Sequence, residues 1–465
     1  KASNMRRFTD IFNKKFSASN ILILFLYISA LFLSFNHNFF NAAKTKFFNN
    51  HQRDSESLVI GKVLNSHIEP IINKQALGRV SGKPEKTYEN YFQSKTQNIS
   101  FTNYKSSFGI QGYIFAVLDL TLKKLEENPE NRYKIMRALT GMSMSVVVAV
   151  FIFLIRVEFG FSTSLFLLVT TIYSQWLVVF ASNLYWIFFI MLTPFTLSWM
   201  YLKTCEREIP KLSPLYFAIC LLVFLKSLAG WEYLSTIFIS FNIPFAYFSI
   251  KNRWSKKITA ERIIKINLFG LLGFLLSLAC YFIQKTILLG SANNAFQAFT
   301  QAVLKRTHGN PADVPPVYKA SLESDVFFVL KKYLNGIAIM IPDHITVRFY
   351  HIILALLIIS VFYAAVSALG SSKKDNKMTA LIASGWLSIL APVSWHVLAK
   401  GHSYIHVHMN HVLWHVPFTF LAFTLMAYTV KIFAPIPGYL KNQPFQTFNC
   451  HLLNIKYKIF NSKER

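Results

Sequence analysis

Long apolar runs divide this chain, and they limit the folds that it can adopt more than any other feature. The hydrocarbon core of a bilayer is roughly 30 Å thick, so a crossing helix needs about 20 mostly apolar residues. The runs predict an all-α polytopic membrane protein with about ten transmembrane helices. They lie at about 20–37, 138–155, 161–180, 184–202, 214–230, 233–250, 264–288, 350–369, 379–398 and 412–430.

The composition agrees with a membrane protein. Hydrophobic residues make up 53% of the chain and charged residues only 15%, with a mean hydropathy of +0.37. Such a chain cannot hide its apolar surface in one soluble core. The formal net charge is +27, but the basic residues are spread over the tails and loops, so we expect no nucleic-acid partner.

The basic residues of the short loops predict an orientation, because Lys and Arg there are retained on the cytoplasmic side. All of them fall inside if both termini are cytoplasmic. Three segments then lie outside, at 38–137, 289–349 and 399–411. The predicted division is an N-terminus over 1–19, a transmembrane domain over 20–430 and a basic tail over 431–465. The residues that set the orientation are Arg6, Arg7, Lys14, Lys15, Lys203, Arg207, Lys211, Lys251, Arg253, Lys256, Lys257, Arg262, Lys373, Lys374 and Lys377.

The first outer segment carries two acids, Asp54 and Glu56, separated by Ser55. Two carboxylates this close at a membrane face could act as a general base or hold a divalent cation such as Mn²⁺ or Mg²⁺. The competing interpretation is that both are solvated loop residues near Arg53 and Lys62. Their assignment to a loop predicts that each can be neutralised without loss of the fold.

The same segment contains an apolar stretch at 109–125 that is too short and too amphipathic to span. Asp119 and the pair Lys123 and Lys124 predict a helix that lies in the plane of the membrane interface. Counting this stretch as a span would invert every later segment and put the basic loops outside.

The last outer segment is rich in cations and imidazoles, namely Lys400, His402, Tyr404, His406, His408 and His411. Lys400 and His402 suit a phosphate head group, since Lys supplies a point charge and His can donate a hydrogen bond. Other interpretations stay open: a transition-metal site made by His406, His408 and His411, a histidine face on the final span, or polar residues that merely sit at the interface.

Lys226 and Glu232 flank the turn between the fifth and sixth runs, where charges are costly unless they are paired or face a polar cavity. They could form an ion pair that locks two helices. Alternatively, Glu232 lies beside the acceptor or a metal, with Trp231 against a sugar ring.

In the loop 289–349, Arg306 could clamp a phosphate, although a basic loop beside anionic lipids would look the same. The Pro and Gly content of that loop predicts a shaped loop without a folded domain.

Four signatures follow the acidic pair in order along the chain. They are Arg137-Ala-Leu-Thr-Gly at the second span, Arg156-Val-Glu-Phe-Gly at an inner turn, and Ser174-Gln-Trp with Ala181-Ser-Asn-Leu-Tyr at an outer turn. In this order they resemble the GT-C superfamily of membrane glycosyltransferases, most closely its protein mannosyltransferase and aminoarabinose transferase branch. The likeness extends over roughly the first 200 residues.

The resemblance implies a GT-C-like bundle with a large first outer loop that carries interfacial helices. It also implies a sugar donor carried on polyprenyl phosphate or pyrophosphate, with catalytic carboxylates in that loop, where Asp54 and Glu56 match. The branch usually has adjacent Asp-Glu, whereas Ser55 intervenes here, as in variants of metal-dependent members. The implied location is the outer face of a bacterial inner membrane, and the implied acceptor is a glycan, lipid or protein.

Two function classes follow from these observations. The first is an inverting glycosyltransferase with no covalent enzyme intermediate. The second is a transporter or flippase for a lipid or polar solute, whose polar residues would lie near the bilayer midplane. The ionisable residues cluster at the outer boundary instead, which favours the enzyme; a structural subunit of a larger complex ranks third. The predicted roles are catalytic for Asp54, Glu56 and Glu232, donor-phosphate binding for Lys400, His402, Arg306 and Lys226, and substrate binding for Trp231, Tyr404, His406 and His408.

Overall fold

The computed structural model describes residues 18–73, 75–97, 99–205, 212–304, 306–313, 316–341, 345–369 and 375–433. The predicted N-terminal segment up to residue 17 and the basic tail from residue 434 lie outside the described residues. So do several basic residues that helped to set the predicted orientation, namely Arg6, Arg7, Lys14, Lys15, Arg207, Lys211, Lys373 and Lys374.

The described chain is predominantly helical. The helices are α1 (Ala18–His37), α2 (Thr45–Asn50), α3 (Arg53–Asn65), α4 (Pro84–Phe92), α5 (Ile110–Leu122), α6 (Pro129–Phe159), α7 (Phe161–Ile172), α8 (Gln175–Ala181), α9 (Phe189–Thr204), α10 (Ser213–Ala229), α11 (Leu234–Lys251), α12 (Lys256–Leu289), α13 (Ala292–Leu304), α14 (Pro316–Glu323), α15 (Val326–Leu334), α16 (Phe349–Ala368), α17 (Asn376–Leu398), α18 (Lys400–Ile405), α19 (Val407–Asn410) and α20 (Phe418–Phe433). Short 3-10 helices occur at Pro311–Asp313 and His411–His415.

Strands occur in the predicted outer segments. Strands β1 (Gly78–Val80) and β2 (Phe101–Asn103) pair antiparallel, with Arg79 opposite Thr102. Strands β3 (Ile337–Ile341) and β4 (Ile345–Arg348) form a second antiparallel pair. The predicted shaped loop over 289–349 contains regular elements, since α13, α14, α15 and this strand pair lie within it.

Among the described residues, five helices are long and apolar enough to cross a membrane, and the number rises to seven if two bent pairs each count as one span. The protein is therefore a helical multi-pass membrane protein. The five are α1, α6, α12, α16 and α17. Helices α9, α10 and α11 occupy three more predicted spans, but they have only 16, 17 and 18 residues. The count of about ten spans stays a prediction.

Two predicted spans are broken rather than continuous. The run 161–180 divides into α7 and α8, which meet at 70°. Ser174 lies at the break, where its hydroxyl caps α8 by accepting a hydrogen bond from Leu177 N at 3.4 Å. The run 412–430 bends by 47° before α20, next to Pro417. Proline lacks the backbone N–H that a continuous helix needs, so the chain turns there.

One end of the bundle is organised around Glu158 near the end of α6, and we call it the Glu158 end. The carboxylate accepts hydrogen bonds from Lys203 and, at 2.9 Å, from Tyr247, and it forms an ion pair with Lys251 at 2.6 Å. Lys377 Nζ lies 3.6 Å from the same group. These lysines come from loops that the positive-inside rule assigned to one side, and the structure gathers them at one end of the molecule.

The opposite end is formed by the predicted outer segments. Helix α17 begins beside Lys377 and runs for 23 residues, or about 34 Å at roughly 1.5 Å per residue, before α18 starts at Lys400. The first outer segment packs on this end through α3, whose Gly61 touches β1. A Cβ on Gly61 would lie 2.1 Å from the carbonyl oxygen of Gly78, so a larger residue would push α3 away from the strand.

Candidate functional site

A cavity of about 220 Å³ lies at the end of the bundle opposite Glu158, and we call it the Glu232 cavity. Segments that are far apart in the sequence build it: the start of α3, the loop before α5, the turns before α9 and α11, the end of α13, α14 and the α18–α19 region. Its walls are aromatic and polar. The lining residues are Ser55, Tyr104, Ser106, Tyr185, Trp186, Glu232, Arg306, Tyr318, His402, Ile405, His406 and Met409.

Glu232 supplies the carboxylate of this cavity. Its side chain is 8% exposed and has no hydrogen-bond or ion-pair partner among the described residues. The turn between α10 and α11 folds the carboxylate back over Gly230, where a Cβ would lie 2.3 Å from Oε2. A larger residue at position 230 would therefore push the Glu232 carboxylate out of this place. A carboxylate that faces a cavity without a partner remains able to accept a proton or a hydrogen bond from a ligand.

Arg306 supplies the strong cation. Its Nη1 donates to the Ala302 carbonyl at 2.9 Å and its Nη2 donates to the Tyr104 hydroxyl at 3.3 Å. Burial alone would lower the pKa of Arg306, but the acidic groups of Tyr104 and Glu232 outweigh burial and raise it. The guanidinium is therefore held in place while it still presents further N–H donors, which suits a phosphate group.

His402 is held by a short chain of hydrogen bonds. The Tyr233 hydroxyl donates to Asn410 Oδ1 at 2.5 Å, and Asn410 Nδ2 lies 3.3 Å from His402 Nδ1. An amide nitrogen only donates, so Nδ1 accepts and the ring proton sits on Nε2. Burial, followed by the positive charge of His406, holds the pKa of His402 well below its usual value. His402 is thus a neutral imidazole with one fixed donor.

His406 adjoins His402, with ring centroids 4.4 Å apart. Burial lowers the pKa of His406 to about 4, and the charge of His408 adds to this effect, whereas the charge of Asp54 opposes it. Burial also lowers the pKa of His408, and the charge of Asp54 opposes this effect too. Nδ1 of His406 is buried and has no hydrogen-bond partner within the described part of the chain. The two rings therefore offer uncharged polar atoms to whatever enters the cavity.

The acidic pair lies on a helix, so the prediction that both acids lie in a loop is wrong. Asp54 and Glu56 belong to the first turn of α3. Residues two apart on an α-helix point in different directions, and here Asp54 is exposed while Glu56 is 2% exposed. Neither lines the cavity, although Ser55 between them does.

Glu56 is fully engaged inside the protein. Its Oε2 accepts hydrogen bonds from the hydroxyls of Tyr88 at 2.8 Å and Tyr133 at 2.7 Å. Its Oε1 accepts from the backbone N–H of Leu184 at 2.8 Å. These bonds tie α3 to α4, to α6 and to the turn before α9. Glu56 therefore positions structural elements and does not present a free carboxylate.

The turn that Glu56 holds forms one wall of the cavity. Asn183 Oδ1 accepts from the backbone N–H groups of Tyr185 at 3.0 Å and Trp186 at 3.2 Å. Gln111 Nε2 donates to the Tyr185 carbonyl at 3.1 Å. These bonds fix the two aromatic side chains that line the cavity, and Nε1 of Trp186 has no hydrogen-bond partner among the described residues.

This result bears on the predicted divalent-cation site. Glu56 uses both oxygens for bonds within the protein, so it does not fit the role of a metal ligand beside Asp54. Among the described residues, no group of three or more His, Cys, Asp or Glu side chains is placed to hold a metal ion.

Two predicted phosphate ligands lie outside the cavity lining. Lys400 Nζ donates to the Leu322 carbonyl at 2.5 Å. Lys226 Nζ donates to the carbonyls of Gly230 at 2.6 Å and Glu232 at 3.1 Å. The predicted ion pair between Lys226 and the Glu232 side chain is therefore replaced by bonds to the backbone, which stabilise the turn that carries Glu232.

Several predicted substrate contacts also lie elsewhere. Trp231 packs against Tyr281 and Phe299, with ring centroids 4.5 Å and 5.1 Å away. The ring of Tyr404 lies 4.9 Å from Lys332 Nζ, and His408 is exposed. None of these three predicted contacts is a lining residue.

The histidines of the last outer segment do not converge on one point. His411 stacks on Trp176 with ring centroids 4.8 Å apart, and it lies 4.8 Å from the Tyr333 ring. His408, by contrast, is exposed. Thus His402 and His406 face the cavity, whereas His411 belongs to an aromatic layer between the helices.

The stretch predicted as an interfacial helix is helical, as α5, but Asp119 does not lie on an exposed polar face. It is 0% exposed and accepts hydrogen bonds from Tyr91 at 2.5 Å and Arg132 at 2.9 Å. His67 Nε2 lies 2.7 Å from its other oxygen. This buried network anchors the first outer segment to α6.

Sequence reasoning missed most of the aromatic lining, namely Tyr104, Tyr185, Trp186 and Tyr318, together with Ser106. Tyr185 is the last residue of the Ala181-Ser-Asn-Leu-Tyr signature at the predicted outer turn, and Trp186 follows it directly. That position was the available signal. Comparison with protein-family models, with curated proteins and with solved structures finds no match to this chain.

Proposed function

We propose that this protein is an integral-membrane glycosyltransferase of the GT-C type. It moves a sugar from a polyprenyl-phosphate or pyrophosphate donor to a glycan, lipid or protein acceptor at the outer face of a bacterial inner membrane. The observation that carries the proposal is the convergence of Glu232, Arg306, His402 and His406 in one cavity, although they come from three separate segments of the chain.

The reaction needs a base and a cation on opposite sides of one bond. In the proposed step, the acceptor hydroxyl oxygen attacks the anomeric carbon of the sugar. The bond from that carbon to the phosphate oxygen breaks, and the electron pair leaves with the polyprenyl phosphate. Glu232 takes the proton of the acceptor hydroxyl, and Arg306 binds the phosphate as negative charge develops on the leaving oxygen.

The imidazoles and aromatic rings complete the arrangement. His402 Nε2–H can donate to a sugar hydroxyl or a phosphate oxygen, since the Asn410 contact leaves the ring proton on that atom. Trp186 and Tyr185 offer apolar faces against which a sugar ring can pack. Such a wall also limits the access of water, which would otherwise compete with the acceptor.

A transporter is the alternative. It calls for a polar path that continues past the midplane toward the opposite end of the protein. Lys251 at that end forms an ion pair with Glu158 at 2.6 Å, and it is not among the lining residues of the cavity. Glu232, Arg306 and the two imidazoles are grouped at one end of the protein, and this favours sugar transfer over transport across the membrane.

The deciding experiment measures transfer by Glu232→Gln in liposomes that contain a polyprenyl-phosphate-linked sugar and a hydroxyl acceptor. Loss of a general base costs about 100-fold to 10,000-fold in rate. Glu232→Asp should keep part of the activity, because it retains a carboxylate. The matched control is Glu130→Gln, which neutralises an exposed acid on α6 that pairs with Lys134.

Sugar transfer that stays at the wild-type rate in Glu232→Gln would remove Glu232 from the chemistry. Passage of an intact lipid-linked sugar across the bilayer, with no transfer to any acceptor, would favour the transporter instead.

A further inference from the structure

A second cationic group lies outside the Glu232 cavity, near the end of α12. The side chain of Lys285 is 0% exposed, and its Nζ has no hydrogen-bond acceptor among the described residues. The centroid of the Tyr281 ring lies 5.2 Å from Nζ, which is a cation–π contact. A buried ammonium without an acceptor is costly, because it has lost its hydration and gained little in return.

The segment before α5 packs against this part of α12. Tyr281 donates through its hydroxyl to the Lys105 carbonyl at 3.3 Å, and Gln284 Nε2 donates to the Phe108 carbonyl at 3.3 Å. The positive charge of Lys105 acts on Lys285, so the two cations are neighbours. Ser107, two residues after Lys105 in the sequence, is 2% exposed, and its hydroxyl has no partner within the described residues.

The composition of this group indicates an anion as its ligand. Two ammonium groups repel each other, and an anion between them would relieve that repulsion and supply the acceptor that Lys285 lacks. The unpaired hydroxyl of Ser107, in the same segment as Lys105, would add a neutral donor. Phosphate oxygens accept hydrogen bonds from both kinds of donor.

The surroundings indicate that the anion belongs to a lipid. Lys285 lies four residues before the end of α12, one of the candidate membrane spans, which places it near the depth of lipid head groups. Ile283 and Ile287 point to the opposite face of α12 and are 63% and 76% exposed, as expected for side chains that face hydrocarbon. Tyr281, which contacts Lys285, also lies within the field of Arg306 in the cavity wall. The group therefore lies on the inward face of a helix whose outward face is exposed to lipid.

We propose that Lys285 and Lys105 form a second phosphate site, which takes the phosphate head group of an isoprenoid lipid on its way between the membrane and the Glu232 cavity. The identity of the lipid rests on the proposed function. The site itself is distinct from the cavity, because neither lysine lines it.

The test counts bound lipid on the full chain. Native mass spectrometry of the protein with a polyisoprenyl monophosphate should show up to two adducts for the wild type and at most one for Lys285→Met. Binding of the second adduct should weaken by about 10-fold or more, as expected for the loss of a charge-assisted hydrogen bond. Lys105→Met should weaken it less, since Lys105 is exposed. Lys256→Met, at the exposed far end of α12, is the matched control.

Three results would overturn the site. The first is a wild-type protein that binds only one lipid, and the second is a Lys285→Met protein that still binds two. The third is that inorganic phosphate binds in a Lys285-dependent way while the isoprenoid lipid does not. If Lys285→Met does not fold, Lys285→Gln and Lys105→Met carry the same comparison. An uncharged polyisoprenol should show no dependence on Lys285.

The readout needs no sugar, which separates this proposal from the proposed function. Lys285-dependent lipid binding in a protein that transfers nothing would support the site and remove the transferase. Sugar transfer with binding that is independent of Lys285 would do the reverse.

Discussion

The hydroxyl of Tyr133 on α6 donates a 2.7 Å hydrogen bond to Glu56 on α3, and this bond joins residues that are 77 positions apart. The other oxygen of Glu56 accepts from the backbone of Leu184, just before the aromatic wall of the cavity. An acidic residue that its sequence context suggested for catalysis thus holds the first outer segment against the bundle. Its influence on the cavity is exerted through Tyr185 and Trp186.

The first prediction follows from that contact. Glu56→Gln should lower the free energy of unfolding by about 1–3 kcal/mol, because an amide NH₂ would replace one acceptor that now meets a donor. Denaturant unfolding of the protein in detergent measures the change. Tyr133→Phe should have a smaller effect in the same direction, and Glu130→Gln should have none. Unchanged stability in Glu56→Gln would return this residue to the candidates for catalysis.

The second prediction separates the two remaining acids. Asp54→Asn should keep the wild-type melting temperature, since Asp54 is exposed, and it should reduce transfer by less than Glu232→Gln does. Removing its charge should also lower the pKa of His406 further, because Asp54 now opposes the effect of burial. Rates of both variants across pH test this ranking. A greater loss in Asp54→Asn than in Glu232→Gln would make Asp54 the base.

The third prediction concerns the donor phosphate. Arg306→Ala should weaken the binding of a polyprenyl-phosphate sugar by about 10-fold or more, and Arg306→Lys should recover part of the affinity, since it restores charge without the planar fork. Lys400→Met should leave affinity unchanged, because its ammonium already donates to Leu322. Equilibrium binding measures all three. A loss in Lys400→Met as large as that in Arg306→Ala would mean that Lys400 reorients toward the ligand.

Features of this protein that depend on local sequence could be predicted, whereas those that depend on contacts between distant segments could not. Apolar runs predicted where helices lie, because the length and hydropathy of a run are local properties. The cost of placing charge near lipid singled out Glu232, and the structure brings it together with Arg306 and His402. The separation of Asp54 from Glu56 was not foreseen, since it depends on a helix starting at Arg53 rather than later.

The cavity wall could not be predicted from local patterns for a related reason. Trp186 lines the cavity because Asn183 shapes its turn and Glu56 anchors that turn from more than a hundred positions away. A buried aromatic residue in an apolar stretch looks the same whether it packs in a core or faces a cavity. Only the contacts between distant segments distinguish the two.

The last prediction is a pH dependence of stability to which His402 and His406 contribute. Burial lowers the pKa of His406 to about 4, and it holds that of His402 well below its usual value. In the unfolded chain both imidazoles titrate near pH 6.5. Between these values the unfolded chain binds protons that the folded protein does not, so the contribution of the two neutral imidazoles to stability is fully present above pH 6.5 and is lost as the pH falls toward 4.

The melting temperature in detergent should therefore fall between pH 7.5 and pH 5. His406→Gln should make that fall smaller. The control His37→Gln, which replaces an exposed imidazole, should leave the fall unchanged. If His406→Gln shows the same fall as the wild type, the stability of the folded protein does not depend on keeping this imidazole neutral.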